Sequence, residues 1–325
     1  MEILGTSRSV ASVKNTQTVL ATNALRRGFP LVFSFLLASM LPAQELQPRA
    51  YLPSPVGLNF FSISYSANSG GLLFDPSLPV QDGHVTASSP QLAVGEALGI
   101  FGRSGQVLAV LPYVVADLSG KLNGSEQARH RSGLADALFR LAVNIYGAPA
   151  MDLREFSEYR PKTIVGASLT VTAPSGQYDP NVLINIGTNR WAFKPEIGVS
   201  RFFRKWEFEA AFGVWLYTKN ADFYGNTFRT QAPLGSIQSH VVRNLPHRTW
   251  FALDGTFYTG GRTVVGDTVS ANYQGNTRFG LTFGVALSRK QALRLAYFDG
   301  ATTRFGTDIS SLSIAYQVIW HNGRR

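Results

Sequence analysis

The sequence predicts an all-β protein: a transmembrane, antiparallel, up-and-down β-barrel of about twelve strands that follows an N-terminal signal peptide. Three observations carry this prediction. Apolar and polar residues alternate with period two in many segments, and short connections between these segments alternate with long ones. Only 15% of the 325 residues are charged, whereas 45% are apolar and 12% aromatic. A soluble protein surface normally carries more charge than this.

The first 43 residues have the pattern of a secretory signal. Arg26 and Arg27 precede a short apolar run, and Ala43 is a small residue at a plausible cleavage point. The run is too short and too interrupted for a transmembrane helix, although a membrane anchor or a buried helix is the alternative interpretation. We therefore expect a cleaved signal peptide at residues 1–43, an outer-membrane barrel domain at residues 44–325, and Sec-type export.

The alternation is clearest near the end of the chain. There Leu312, Ile314, Tyr316 and Trp320 alternate with small or polar residues. Similar segments elsewhere give twelve predicted strands of about ten residues, which is long enough to span a bilayer. They are expected at residues 57–66, 92–102, 105–117, 133–146, 162–173, 190–202, 205–217, 234–244, 249–259, 277–288, 291–301 and 309–320.

The predicted connections are of two kinds. Tight turns are expected at residues 203–204, 246–247 and 289–290, and long, polar, Gly-rich loops at residues 67–91, 118–132, 174–189, 218–233 and 260–276. This difference is typical of outer-membrane barrels, whose short turns face the periplasm. An even number of strands then places both termini on the periplasmic side. The one long connection on that side, residues 148–160, is expected to contain a small helix.

A soluble β-sandwich or propeller would also alternate, but its apolar face would form the core. Here the polar face carries charges of both signs, and the apolar face carries aromatic residues near strand ends, as lumen and interfacial girdles require. In hydrocarbon every backbone polar group must also be paired internally, which a closed barrel achieves. We therefore expect the outer membrane of a Gram-negative bacterium.

The formal charge of +10 is not evidence for a nucleic-acid partner. Residues 1–43 contain four basic residues against one acid, and the remaining charges are spread along the chain with no basic run beyond a pair. The absence of cysteine excludes disulfides, thiolate metal sites and a cysteine nucleophile. No metal or other cofactor is predicted.

Several segments match a known family. They are Pro53–Pro79, Asn144–Ala150, Ile164–Pro174, Gly176–Pro180, Gly187–Glu196 and Tyr258–Arg262. With them the chain resembles a family of outer-membrane transporters named for the meta-pathway of phenol degradation, over roughly residues 51–320. The resemblance implies a transporting barrel and brings no catalytic residues, and its preference for aromatic solutes rests on the name alone. The chain departs from many outer-membrane barrels by continuing to His321–Arg325 after Trp320, which predicts a partly masked assembly signal.

If the apolar face meets lipid, the polar face lines the lumen. Ten charged residues, five of each sign, are predicted there: Asp136, Glu196, Glu207, Glu209 and Asp254 with Arg140, Arg190, Lys194, Arg278 and Arg294. Two interpretations remain open. The charges neutralise one another in a network that fills or narrows the barrel, because buried charges need partners, or they form a ring that selects solutes.

Four aromatic residues are also candidates for the lumen. Trp215, Tyr217, Trp250 and Tyr258 would provide a path for aromatic or hydrophobic solutes, or they belong to the girdle at the rim, since each lies close to a loop. Enzyme signals are weak. His240 lies well inside a predicted strand, but its same-face neighbours include no serine, and Ser239 points to the other face.

The sequence therefore predicts an outer-membrane channel or transporter for the passive uptake or export of small solutes, including aromatic or hydrophobic ones. Residues 67–91 and 174–189 are expected to narrow its mouth. Twelve strands lie between filled eight-stranded barrels and open sixteen-stranded porins, so a narrow or gated lumen is expected. The alternatives are a non-transporting structural or adhesive barrel with a salt-bridged lumen and a barrel-embedded hydrolase. The expected partners are outer-membrane lipid, the barrel-assembly machinery and a small-molecule solute.

Overall fold

A computed structural model describes residues 48–73, 80–122, 125–182, 184–304 and 306–321. The predicted signal peptide and its cleavage point lie outside the described residues. The described part contains one short helix, α1 (Leu153–Glu158), and seventeen strands. The strands are β1 (Leu58–Leu73), β2 (Val80–Ile100), β3 (Arg103–Leu122), β4 (Ser125–Leu134), β5 (Leu138–Tyr146), β6 (Thr163–Thr172), β7 (Ala192–Phe203), β8 (Trp206–Tyr217), β9 (Asn220–Phe223), β10 (Thr227–Gln231), β11 (Leu234–Asn244), β12 (Thr249–Gly260), β13 (Thr263–Val265), β14 (Thr268–Val269), β15 (Gln274–Ala286), β16 (Gln291–Thr302) and β17 (Gly306–His321).

Thirteen of these strands form one antiparallel sheet that closes on itself. Strands β4 and β5 share one position in the wall because both pair with β3, so the barrel has twelve positions. Closure is made by β1 and β17, whose register runs from Leu58 opposite His321 to Leu73 opposite Gly306. The predicted fold is confirmed, and each of the twelve predicted strands overlaps a strand of the barrel wall.

The two faces of the wall differ as the alternation predicts. Ile314 on β17 and Leu281 on β15 point outward and are exposed, which is the arrangement expected of a face that meets lipid. Glu207 on β8 and Asp254 on β12 point inward and are buried. Because side chains alternate strictly along a strand, one register fixes the lipid face and the lumen face together.

The short connections lie at the end of the barrel that also holds residue 57 and His321. A longer connection at the same end, between β5 and β6, contains α1, as predicted. Asp152 caps this helix: its Oδ1 accepts the backbone N–H of Glu155, and the Glu155 carboxylate accepts the backbone N–H of Asp152. We call this end of the barrel the periplasmic end, following the rule for outer-membrane barrels.

Two of the predicted loops are wrong. Residues 67–73 and 80–91 belong to β1 and β2, and residues 118–122 and 125–132 belong to β3 and β4. These segments are rich in Ser, Gly, Asn and Thr, so they lack the apolar face that the alternation test detects. Backbone pairing nevertheless continues, and β2 reaches 21 residues. The expectation that residues 67–91 narrow the mouth is therefore wrong for the described residues, which extend the wall instead.

The predicted loops at 218–233 and 260–276 contain strands of their own. Strands β9, β10, β13 and β14 form a separate four-stranded sheet, which we call the mouth sheet, at the extracellular end. Its contacts are polar: Asn272 accepts the backbone N–H of Thr263 at 3.0 Å and donates to Thr263 Oγ1 at 2.8 Å, with both residues buried. The mouth sheet therefore adds ordered structure where the sequence predicts only loops.

Candidate functional site

The ten charged residues predicted for the lumen do not form one ring. Eight of them project inward from strands of the wall, and Asp136 and Arg190 lie next to strand ends. They are divided among several contact groups at different heights. Three of these groups contain residues that were not predicted for the lumen, namely Arg49, Tyr51 and His240.

The first group joins the segment before β1 to the wall near the periplasmic end. The backbone N–H of Arg49 donates to Glu209 Oε2 at 2.7 Å, and its Nε donates to Glu207 Oε2 at 3.2 Å. The guanidinium group also donates to Asn244 and lies 4.7 Å from the ring centroid of Trp250. Burial lowers the pKa of Arg49, whereas Glu207 and Glu209 raise it. The segment thus places a cation beside two carboxylates inside the barrel.

Two residues further on, Tyr51 fills a space that two glycines leave open. A Cβ on Gly166 would lie 2.1 Å from Tyr51 Cδ1, and a Cβ on Gly198 would lie 2.4 Å from Tyr51 Cε2. The ring therefore packs directly on the backbone of β6 and β7. Its hydroxyl lies 3.0 Å from Ser168 Oγ and donates to Glu196 Oε1 at 2.8 Å.

The contacts of Tyr51 extend to two of the predicted bases. Arg140 lies over the Tyr51 ring at 5.0 Å and donates to the carbonyl oxygen of Ala50 at 3.3 Å. Lys194 forms an ion pair of 2.8 Å with Glu196. Burial raises the pKa of Tyr51 to about 12, so its hydroxyl remains a donor. Residues 48–57, which we call the N-terminal segment, therefore occupy the lumen near its periplasmic end.

A third group lies on β11, β12 and β15. Asp254 Oδ1 and His240 Nδ1 are 2.6 Å apart, and Thr282 Oγ1 donates to Asp254 Oδ2 at 2.6 Å. All three side chains are buried. The strand register places Glu209 opposite His240 on β8, and Arg294 also acts on this group through its attraction to Asp254. Both oxygens of Asp254 are thus used in contacts with the wall.

The aromatic candidates lie at opposite ends. Trp215 and Tyr258 are buried near the extracellular end in a cluster with Ala192 and Leu234, and Tyr217 packs against this cluster. Trp250 lies near the periplasmic end, where its ring packs on Gly284 and contacts Arg49. The structure therefore brings three of the four candidates together inside the barrel and separates the fourth.

Asp136 holds the predicted mouth loop at residues 174–189. Its Oδ1 accepts the backbone N–H of Gly176 at 2.9 Å, and its Oδ2 accepts the backbone N–H of Thr188 at 2.9 Å and the Thr188 hydroxyl at 2.5 Å. Arg278 donates to the carbonyl oxygen of Ile309 at 3.0 Å. Asp136 and Arg278 thus bind mainly backbone groups and do not contact each other.

Arg190 lies where that loop meets the mouth sheet. It donates to the side-chain oxygen of Gln231, and its guanidinium carbon lies 4.4 Å from the ring centroid of Tyr217. Arg229 on β10 is also buried and lies 5.8 Å from the ring of Phe223. Two cations are therefore buried at the extracellular end of the lumen.

The lumen positions of Arg49, Tyr51 and His240 were predictable to different degrees. Arg49 and Tyr51 lie outside every predicted strand, so alternation could not place them, and the hydrogen-bond partners of their side chains are more than 100 positions away. His240 could have been found as an inward residue, since its cross-strand neighbour in the register is Asp254.

Two further searches of the described residues had negative results. No group of three or more His, Asp or Glu side chains that could hold a metal ion occurs there. No helix in this part of the chain is long and apolar enough to cross a membrane.

Comparisons with known proteins agree with the fold. The model of the family described as "Putative MetA-pathway of phenol degradation" matches residues 77–308. The crystal structure of an outer membrane channel from Pseudomonas putida F1 is 18% identical, covers 85% of this chain and 100% of its own, and superimposes with a TM-score of 0.69. The β domain of the Bordetella autotransporter BrkA is 13% identical and has a TM-score of 0.50, and the match covers 81% of this chain and 100% of that domain. No curated protein matches the sequence significantly.

Proposed function

Because the chain belongs to the phenol-degradation family whose model matches it, and folds as a closed barrel of the outer-membrane type, we propose that it is an outer-membrane channel. Its solutes are small, and aromatic or hydrophobic compounds are the first candidates. The likeness to a structure that is itself named an outer membrane channel supports this proposal. The buried rings of Trp215 and Tyr258, with the half-buried ring of Tyr217 packed against them inside the barrel, support the solute class.

The observation that carries the proposal is the nature of the contacts that hold the N-terminal segment in the lumen. Arg49 is bound through ion-pair and hydrogen-bond contacts to Glu207 and Glu209, and the Tyr51 hydroxyl is hydrogen-bonded to Glu196. Water and solute groups can replace such contacts, unlike the close packing of an apolar core. Glu207 Oε1 and Arg140 Nη2 are buried without hydrogen-bond partners among the described residues. The Tyr51 ring is the part of the segment that also packs closely on the wall. From the polar nature of the other contacts we infer that the segment leaves the lumen while the barrel stays folded.

Reconstitution of the purified chain in planar bilayers tests the channel function. We expect single-channel conductance with transitions between a low and a higher level, corresponding to the segment in and out of the lumen. Uptake of small aromatic solutes into proteoliposomes should exceed uptake into vesicles without protein. Absence of both conductance and uptake, in protein shown to be folded by heat-modifiable gel mobility, would contradict the proposal.

A structural or adhesive barrel is the second candidate, because the ion pairs Arg49–Glu207 and Lys194–Glu196 lie in the lumen and could serve as a permanent filling. Substitution of Arg140 or Glu207 discriminates between the two. A variant that loses stability with no change in conductance favours the filling, whereas altered ion selectivity favours the pore.

The location and partners follow from the same proposal. Residues 1–43 direct Sec-type export and are removed, and the mature chain is inserted by the barrel-assembly machinery into outer-membrane lipid. Fractionation of cells that express the full chain, with N-terminal sequencing of the mature protein, checks both statements. A mature protein that begins after residue 51 would lack both Arg49 and Tyr51. Such a result would remove the contacts by which the N-terminal segment is proposed to close the lumen.

We also propose that the chain is not an enzyme. His240 contacts Asp254, but the hydroxyl that contacts this pair belongs to Thr282 and donates to Asp254 rather than to the histidine. A nucleophile activated by histidine would need the opposite order, with its hydroxyl donating to the imidazole. Hydrolysis of ester substrates by the folded protein, lost on replacement of His240, would contradict this proposal.

A further inference from the structure

Two guanidinium groups are buried together at the extracellular end of the lumen. Arg190 precedes β7 and is 6% exposed, and Arg229 lies on β10 of the mouth sheet and is 7% exposed. Burial lowers the pKa of both residues, and for Arg229 burial together with the smaller effect of the Arg190 charge lowers the pKa to about 9. Burial of like charges side by side is costly, so a protein retains such a pair only against a compensating gain.

Arg190 has hydrogen-bonding capacity that its neighbours do not use. Its Nη2 donates to the side-chain oxygen of Gln231, but Nη1 is buried without a hydrogen-bond partner among the described residues. The carboxylate that acts on it, Asp136, already accepts hydrogen bonds from the loop residues Gly176 and Thr188. One nitrogen of this charged group, Nη1, is therefore held inside the protein without an acceptor among the described residues.

The surroundings of this donor are aromatic. The Arg190 guanidinium lies over the ring of Tyr217, which packs against the buried cluster that contains Trp215 and Tyr258. A guanidinium group matches the planar, bidentate geometry of a carboxylate, and a second guanidinium adds positive potential. The rings offer faces on which an aromatic body can pack. The combination fits a ligand with one carboxylate and one aromatic ring.

We propose that Arg190 and Arg229 form a binding site for the carboxylate of a small aromatic acid within the extracellular end of the lumen. The inference deepens the channel function proposed above, and its role in transport rests on that function. Binding itself does not depend on transport, so the two statements can fail separately. With both side chains nearly buried, the ligand enters when the mouth sheet moves aside, and titrations must therefore be allowed to reach equilibrium.

The first test uses the full-length mature chain in detergent, titrated with benzoate, benzamide and acetate by calorimetry in a buffer of low chloride. Benzamide has the same shape as benzoate without the charge, and acetate has the charge without the ring. We expect benzoate to bind about tenfold more tightly than either control. Equal binding of benzamide would overturn the guanidinium site, equal binding of acetate would overturn the aromatic part, and no binding of benzoate would overturn both.

The second test locates the site. Arg190→Gln removes the charge and should weaken benzoate about tenfold while leaving the weak binding of benzamide unchanged. Arg190→Lys keeps the positive charge but lacks the bidentate geometry of the guanidinium group, so its affinity for benzoate should lie between those of the wild type and Arg190→Gln. Arg262→Gln, at an exposed arginine of the same end, is the matched control and should bind as the wild type does. Unchanged benzoate affinity in Arg190→Gln, with heat-modifiable mobility retained, would overturn the assignment.

Conductance recorded from the same preparation separates the two proposals. Conductance without benzoate binding would contradict the binding site and would still support the channel function. Benzoate binding lost in Arg190→Gln, from protein that shows no conductance and no uptake, supports the site and sinks the channel function.

Discussion

Nε of Arg49 lies 3.2 Å from Oε2 of Glu207, so a residue that precedes the first strand is joined to the wall of β8, 158 positions later in the chain. Glu207 is 1% exposed, and the Nε of Arg49 is the group that its Oε2 contacts. The pair therefore ties the position of the N-terminal segment to the charge of a buried carboxylate. A single substitution of Arg49 breaks this link and so tests what the segment does in the lumen.

Arg49→Ala should release the N-terminal segment and raise single-channel conductance. Removal of one partner of a buried ion pair costs about 3–5 kcal/mol, and each 1.4 kcal/mol is about tenfold in an equilibrium. Planar-bilayer recordings should therefore show mainly the high-conductance level. Arg154→Ala on the exposed surface of α1 is the control and should leave the recordings unchanged. A variant of Arg49 that keeps the wild-type conductance would show that the segment does not occlude the pore.

Gly198→Ala should displace Tyr51 from its place on the wall, because the added Cβ would lie 2.4 Å from the ring. Overpacking of this kind costs about 1–3 kcal/mol. The expected result is again higher conductance. Gly235→Ala is the control, since its Cβ would meet its nearest neighbour, Thr259 Cγ2, at 3.4 Å.

The Gly198→Ala experiment has an internal check. In a Tyr51→Ala background the ring is gone, so Gly198→Ala should have no further effect on conductance. If it has the same effect with and without the tyrosine, the glycine acts through the wall and not through the N-terminal segment. Additivity of the two changes would mean that the residues are not coupled.

The barrel wall could be predicted from the sequence, because each strand that crosses lipid must be apolar on alternate residues. Because of this constraint, alternation alone assigns Leu281 and Ile314 to the outer face, and the residues that contact them in space need not be known. The extensions of β1 to β4 could not be read in this way. Val85 and Ala87 there are buried, but the outward positions between and beside them, such as His84 and Thr86, are polar and exposed. The apolar outward face that marks a lipid-crossing strand is missing, so backbone pairing defines these parts of the strands.

The sequence predicts which side chains point into the lumen, but it does not predict which side chains they contact there. Alternation indicates that Glu207 and Asp254 point inward, yet it does not indicate which side chain each one meets. Glu207 meets Arg49 from a segment without periodicity, and Asp254 meets His240 through a register that depends on the turn at residues 245–248. Contacts of this kind depend on tertiary structure, where sequence patterns carry no direct information.

Ile314→Arg should destabilise the barrel by about 2–4 kcal/mol, because Ile314 lies near the middle of β17 with its side chain outward and 45% exposed. Ser313→Arg, at the preceding residue, whose side chain points inward, should cost less. Urea unfolding in lipid vesicles measures both changes. Equal losses of stability would contradict the assignment of the outer face to lipid.

Asp254→Ala should destabilise the barrel more than the loss of either of its neighbours alone. The carboxylate contacts His240 and Thr282 at 2.6 Å each, and its side chain is fully buried. Loss of the shared acceptor leaves buried donors without a partner, at a cost of about 3–5 kcal/mol. Thr282→Val removes one hydrogen bond to a charged group and should cost about 1.5–3 kcal/mol.

The temperature midpoint of the heat-modifiable gel shift measures these losses of stability. Ser239→Ala, on the exposed face of β11, is the control and should change stability by less than about 0.5 kcal/mol. Conductance of the same variants decides what the group is for. Because both oxygens of Asp254 are used by the wall, stability should fall while the conductance of the protein that remains folded stays the same. A change in ion selectivity without a loss of stability would instead place Asp254 in the permeation path.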